Sequence, residues 1–157
     1  MLLLDARAFP ATWQTDVCTI GCDRTERQFY SLRTFGRPAI AGQVVQQVYA
    51  YPETKQAVAL FQNHREAEIP SGVFITPTES TYRSPLADEQ AVGCDGPQGY
   101  VCKAFFRYRN YVVEFTVDIA EGSDLEGMEI RNIDPIMEDM DRTAAKVLGA
   151  TAPKSNP

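Results

Sequence analysis

The stretch "YVCKAFFRYRNYVVEFTVDI", residues 100–119, contains two runs rich in β-branched and aromatic residues on either side of Arg109-Asn110. Residues of these types favour β-strands, and a short polar connection between two such runs is typical of a β-hairpin. In the second run Val113, Phe115 and Val117 alternate with residues of the opposite face. The stretch therefore predicts two antiparallel strands of a sheet.

Two further strands are predicted upstream. The segment "ERQFYSLRTFG" (26–36) carries strand-forming aromatic residues and ends at a glycine–proline break, Gly36-Arg37-Pro38. The segment "GQVVQQVYAY" (42–51) alternates between two faces and is rich in β-branched and aromatic residues. The segment "PATWQTDV" (10–17) is predicted to run extended, with Trp13 facing inward.

Two segments of the sequence have the apolar spacing of amphipathic helices. Apolar residues recur at helical spacing in "ETKQAVALFQNHREAEI" (53–69), which predicts an amphipathic helix that begins after Pro52. A second apolar stripe runs from Ile133 to Leu148, with Asp134 expected at the N-cap and Gly149 as the C-terminal stop. Leu2–Phe9 is predicted to form a short helix. The segment 70–90 holds three prolines and is expected to be irregular, with one short element.

Strands together with flanking helices predict an α+β fold, an antiparallel β-sheet with helices packed on it. The chain has 157 residues, the size of one domain with a core of its own. We expect a single globular domain over residues 1–149 and a flexible C-terminal tail over residues 150–157.

Composition and charge exclude some classes of function. The formal net charge is −6 and no two Lys or Arg residues are adjacent, so the chain lacks the clustered cations that neutralise nucleic-acid phosphates. The longest purely apolar run, residues 57–61, is far too short to be a transmembrane segment. The segment "MLLLDARAF" lacks the basic region and cleavage site of a signal peptide. Either the protein is cytosolic, or Met1 follows a signal or anchor that has been removed.

The state of the four cysteines indicates the cellular compartment of the protein. Cys18 and Cys22 are separated by three residues, and Cys94 and Cys102 by seven that include the turn-forming Asp95-Gly96-Pro97. The second spacing suits a disulfide better than a zinc knuckle, and neither pair is a Cys-x-x-Cys redox motif. Two local disulfides are the favoured interpretation, with free thiols and a zinc site as alternatives, and disulfides indicate an oxidising compartment.

Few residues of the sequence suggest catalysis or metal binding. His64 is the only histidine, so a histidine-based enzyme would have to use it with a nearby carboxylate such as Glu68 or Asp88. The segment "DPIMEDMDR" (134–142) could offer oxygens to a hard cation, but a solvated helix face is the favoured interpretation. No phosphate loop, dinucleotide fingerprint or nucleophile elbow is present. We therefore expect no catalytic residues, no metal and no cofactor.

The hairpin carries the densest basic and aromatic patch in this acidic chain. Because tyrosine and arginine are enriched at protein interfaces, the patch is a candidate partner-binding surface, although an ordinary solvated hairpin tip is an alternative. Its residues are Lys103, Arg107, Tyr108, Arg109 and Asn110.

Three segments carry a family resemblance: "LLLDARAFPATWQ" (2–14), "LADEQAVGC" (86–94) and "FFRYRNYVVEFTVDI" (105–119). Together they resemble small bacterial envelope lipoproteins and sensor-type domains with a PsbP-like fold. The resemblance implies an antiparallel sheet flanked by helices, in an accessory, ligand-binding or sensor module tethered at the membrane. It implies no catalytic residues.

The sequence thus predicts a non-enzymatic extracytoplasmic binding module, located in the periplasm or at the cell surface. Its expected partner is an envelope or membrane-complex protein, or a small apolar ligand bound between sheet and helix. A structural subunit of a larger membrane-associated complex is the alternative, and an enzyme centred on His64 is a third hypothesis.

Overall fold

The computed structural model describes residues 2–4, 14–18, 29–36, 42–75, 80–95, 101–119 and 133–149. These contain seven strands and two helices. In chain order they are β1 (Gln14–Cys18), β2 (Phe29–Gly36), β3 (Gly42–Ala50), α1 (Thr54–Glu68), β4 (Phe74–Ile75), β5 (Glu89–Asp95), β6 (Val101–Tyr108), β7 (Tyr111–Ile119) and α2 (Asp134–Leu148). The predicted C-terminal tail and Trp13 lie outside the described residues.

The strands form one sheet in the order β1-β2-β3-β7-β6-β5-β4, and every neighbouring pair is antiparallel. Helix α1 follows β3 and leads to β4 at one edge of the sheet, from which β5, β6 and β7 return strand by strand to β3. This arrangement confirms the predicted α+β class. The more specific PsbP-like form stays a prediction.

The predicted hairpin is confirmed over residues 101–119. Strands β6 and β7 pair from Val101 opposite Asp118 to Tyr108 opposite Tyr111, and this last pair closes the two-residue turn. Arg109 adopts a left-handed conformation with φ of 57°, which is uncommon for a residue with a side chain. Its N–H donates to the Asp88 carboxylate at 2.6 Å, and its carbonyl accepts from the Arg107 guanidinium at 3.0 Å. These bonds hold the turn.

The two faces of the sheet bury different sets of residues, because successive side chains of a strand point to opposite sides. One face packs against α2, and Phe106, Phe115 and Met137 are fully buried there. The segment Leu2–Leu4 covers the same face without forming a helix, and the remainder of the predicted first helix lies outside the described residues. The buried Gln46 side chain accepts from the Leu4 N–H at 2.8 Å and donates to the Leu2 carbonyl at 2.9 Å.

Helix α1 packs on the opposite face. It contacts β6 and β7, and the small core beneath it contains Tyr51, Ala57, Phe61, Phe105 and Val112. The predicted amphipathic helix is therefore confirmed. Across the described residues, neither helix is long and apolar enough to span a membrane.

Candidate functional site

A groove of about 350 Å³ lies beside α1, along the outer edge of β5. It forms because α1 packs on β6 and β7, and because β4 pairs only with Cys94 and Asp95 at the far end of β5. The residues that line it come from the end of α1, from the segment before β5 and from β5 itself: Arg65, Ile69, Arg83, Gln90, Ala91 and Val92.

We call the three half-buried apolar residues of the lining, Ile69, Ala91 and Val92, the apolar floor of the groove. Ala91 belongs to the core under α1 and Val92 to the core under α2, so the groove wraps around the edge of the strand. Ile69 closes one side by packing on Gly93. A Cβ at Gly93 would lie 2.6 Å from Ile69 Cγ2 and 3.1 Å from Phe74 Cβ, so glycine allows this close approach.

The rim of the groove is positive. Arg65 lies in the last turn of α1, and Arg83 lies in the segment that precedes β5. Both are exposed, and neither forms an ion pair with a carboxylate in the described part of the chain. By contrast, Arg107 pairs with Asp88 and Glu89.

The segment that carries Arg83 is anchored to α2 through Asp134. The Asp134 carboxylate accepts hydrogen bonds from Ser80 Oγ at 2.6 Å and from the N–H groups of Thr81 and Tyr82 at 3.0 and 3.1 Å. Asp134 was expected to be the N-cap of α2, and that expectation is wrong. Ile133 is the N-cap, and Asp134 is the first residue of the helix.

A second carboxylate of α2 anchors the same segment. Asp141 is fully buried and accepts hydrogen bonds from Tyr82 Oη at 2.6 Å, Ser84 Oγ at 2.7 Å and Tyr108 Oη at 2.7 Å. Burial, together with the Asp141 charge, raises the pKa values of Tyr82 and Tyr108 well above their ordinary 10.0. The favoured interpretation of this helix face as solvated is therefore wrong for Asp141.

His64 lies on α1 immediately before Arg65 and faces the sheet. Its Nδ1 contacts Glu114 Oε1 on β7, and its ring lies edge-on to Tyr49 with 5.9 Å between ring centroids. Burial raises the pKa of the Glu114 carboxyl above its ordinary value, although His64 partly opposes this. The carboxylate beside His64 is thus neither of the two considered from sequence.

The hairpin patch does not form one surface. Lys103 pairs with Glu68 and Arg107 pairs with Asp88 and Glu89 on the α1 side of the sheet. Tyr108 is 1% exposed and packs towards α2, whereas Arg109 is exposed on the turn. Asn110 donates to the Tyr51 carbonyl. Partner binding at the hairpin stays a prediction.

The second predicted disulfide is confirmed. Cys94 and Cys102 lie opposite each other on β5 and β6, are joined by a disulfide, and are buried in the core under α2. Cys18 is the last residue of β1, and Cys22 lies outside the described residues, so their pairing stays a prediction. Within the described ranges no group of three or more His, Cys, Asp and Glu side chains could hold a metal ion.

Sequence reasoning missed the groove, Glu114 and the role of Asp141. Strand β5 was not predicted, so nothing placed Arg83 near α1. The one available signal for Glu114 was its position as a lone carboxylate in the apolar run "VVEFTV". Asp141 lies one helical turn after Met137, on the same face of α2 as this apolar residue, and this spacing was the available signal for its burial.

Comparison of the chain with protein-family models, with curated protein sequences and with solved structures found no match.

Proposed function

We propose that this protein is a non-enzymatic, extracytoplasmic binding module that takes a small ligand in the groove between α1 and β5. The observation that carries the proposal is the groove itself. Its volume of about 350 Å³ lies within the range of small-molecule sites, and its lining combines three apolar residues with the polar side chains of Arg65, Arg83 and Gln90.

The extracytoplasmic location is supported by the cysteines. A disulfide between Cys94 and Cys102 persists in oxidising compartments, whereas cytosolic thiols are kept reduced. The resemblance of the sequence to small bacterial envelope lipoproteins and sensor-type domains supports the same location. The location is part of the proposal and is tested separately from the binding.

The arrangement around His64 favours binding over catalysis. Its Nδ1 contacts the buried Glu114 carboxylate, so this nitrogen points into the interface between α1 and the sheet. The residues that line the groove include no serine, cysteine or histidine. The groove therefore offers contact groups and no nucleophile or general base.

The binding is tested with methyl-labelled protein and a panel of neutral, anionic and cationic fragments, observed by NMR. We expect fragments to shift the methyl signals of Ile69, Ala91 and Val92. The exposed methyl groups of Val147 on α2 serve as the internal control and should not move. Fragments that shift no groove signal, or that shift Val147 equally, would contradict the proposal.

The location is tested by thiol alkylation of the protein in its native host, followed by intact mass with and without reduction. We expect Cys94 and Cys102 to resist alkylation until reductant is added. Four freely alkylated thiols in the protein from its native host would contradict the extracytoplasmic assignment and leave the groove proposal to its own test.

A further inference from the structure

We infer that the groove between α1 and β5 selects a small amphiphilic anion, a carboxylate or phosphate head on a short apolar body. The inference rests on the proposed binding function and adds the chemical class of the ligand. It goes beyond the apolar ligand expected from the sequence, because the groove places two guanidinium groups beside the apolar floor.

The charges of the lining point to an anion. Arg65 and Arg83 line the groove together, and its lining contains no acidic residue. The chain as a whole has 21 acidic and 15 basic residues, and among the described arginines Arg107 and Arg142 are paired with carboxylates. Arg142, for example, pairs with Asp139 at 3.0 Å. Two unpaired guanidinium groups at one groove create a local positive field that attracts an anion.

Arginine is suited to this task by its shape. The planar guanidinium group presents N–H donors in a fork that matches the two oxygens of a carboxylate or phosphate. Arg83 uses Nη1 to donate to the Tyr82 carbonyl at 2.8 Å, which orients the group and leaves its remaining donors available. Arg65 also complements the negative end of the α1 dipole, a role that needs only its charge and not its hydrogen-bond donors.

The rigidity of the rim favours selective binding. The segment that carries Arg83 is held by the carboxylates of Asp134 and Asp141 on α2. The Gln90 side chain adds two bonds, accepting from the Ser84 N–H at 2.8 Å and donating to the Tyr82 carbonyl at 3.0 Å. A preorganised donor loses less conformational entropy when the ligand binds.

The apolar floor specifies the remainder of the ligand. Ile69, Ala91 and Val92 offer aliphatic contacts but no charge, and the amide of Gln90 is already hydrogen-bonded within the protein. A purely hydrophilic anion would leave this floor without a partner. A short alkyl chain with an anionic head satisfies both parts of the groove.

The experiment titrates octanoate, octyl phosphate, octanol and octylammonium into the full chain, with NMR detection of the groove methyl groups and the arginine Nε–H signals. The two anions distinguish a carboxylate from a phosphate source, and binding of either supports the inference. We expect both neutral octanol and cationic octylammonium to bind about tenfold more weakly than the better anion, since hydrogen bonds to charged groups stabilise more than neutral ones.

The variants Arg65→Gln and Arg83→Gln should each weaken binding of that anion about tenfold. Both residues are exposed, so the variants should fold, and an unchanged amide spectrum away from the groove checks this. Arg109→Gln, at an exposed arginine on the β6–β7 turn, is the matched control and should bind as the parent does.

Equal binding of octanol and the anions, or anion binding insensitive to both groove variants, would overturn the anion inference while leaving a ligand-binding groove. If no compound moves the groove signals, the proposed function fails as well.

Discussion

The Tyr108 hydroxyl on β6 donates a 2.7 Å hydrogen bond to Asp141 Oδ1 on α2, in the interior of the protein. Ser84 donates to the same oxygen and Tyr82 to the other, so one buried carboxylate joins the helix, the sheet and the segment before β5. A buried charge is costly unless hydrogen bonds replace its hydration. Three hydroxyl donors supply that replacement, and the same bonds fix the segment that carries Arg83.

The Tyr108–Asp141 bond should contribute measurably to stability. We expect Tyr108→Phe to lower the free energy of unfolding by about 1.5 to 3 kcal/mol, because it removes a buried hydrogen bond to a charged acceptor. Asp141→Ala should cost more, since it leaves three hydroxyl groups without their acceptor. Urea denaturation measures both changes. Tyr111→Phe, on the neighbouring strand, is the control and should stay within about 0.5 kcal/mol of the parent.

Asp134 should control the order of the segment 80–82. We expect Asp134→Ala to increase amide hydrogen exchange at Thr81 and Tyr82, whose N–H groups donate to its carboxylate. Asp139→Ala on the same helix is the control, since Asp139 pairs with Arg142 instead. If the segment presents Arg83 as we infer, Asp134→Ala should also weaken anion binding. Unchanged exchange at both amides would contradict the anchoring role.

The His64–Glu114 pair should make stability depend on pH. Burial raises the pKa of Glu114 above 4.5, so its contribution to stability is fully present below pH 4.5 and is lost as the pH rises through the folded-state pKa. The imidazole of His64 opposes the shift. Replacing it by His64→Asn should therefore raise the pKa of Glu114 further, as measured by carbonyl ¹³C NMR, and steepen the loss of stability.

Glu114→Gln is the matched variant for this pair, because it keeps the shape of the side chain and cannot ionise. We expect its free energy of unfolding to lose the slope that Glu114 causes above pH 4.5. Lys103 and Glu68, the neighbouring charged pair, remain in place in both variants. A carboxyl titration of Glu114 that is identical with and without His64 would show that the pair is not coupled.

The Cys94–Cys102 disulfide closes a short loop between β5 and β6. We expect the double variant Cys94→Ala/Cys102→Ala to lower stability by about 2 kcal/mol on the chain-entropy estimate, with loss of packing added because both residues are buried. Peptide mapping of the non-reduced parent, which separates the Cys94–Cys102 peptide from Cys18 and Cys22, measures the bond directly. A parent protein whose mass is unchanged by reduction would contradict it.

The backbone of the fold could be predicted where local pattern and burial agree. Strands β3, β6 and β7 could be predicted because their signals are local. These signals are the alternation of residues in 42–51 and 111–119 and the turn at Arg109-Asn110. Strand β5 was missed because Glu89 and Gln90 resemble a loop, and because its partners on β6 lie beyond a connecting loop, from Cys102 opposite Cys94 to Arg107 opposite Glu89.

The candidate site could not be predicted for a related reason. Arg65 and Arg83 approach one groove only because α1 crosses the sheet between β3 and β4, and no local pattern encodes that path. Asp134 matched a helix N-cap in sequence, yet its carboxylate serves a segment more than fifty residues away. Polar side chains that stabilise distant segments have the same sequence signature as ordinary caps and solvated faces.

The groove is tested most directly by isotope-filtered NOE spectroscopy of the labelled protein with unlabelled octanoate. We predict intermolecular NOEs from the alkyl chain to the methyl groups of Ile69, Ala91 and Val92, and none to Val147. They should weaken in Arg83→Gln and persist in Arg109→Gln. Octanoate NOEs confined to other surfaces, such as the exposed Val73 and Ile75, would contradict the account.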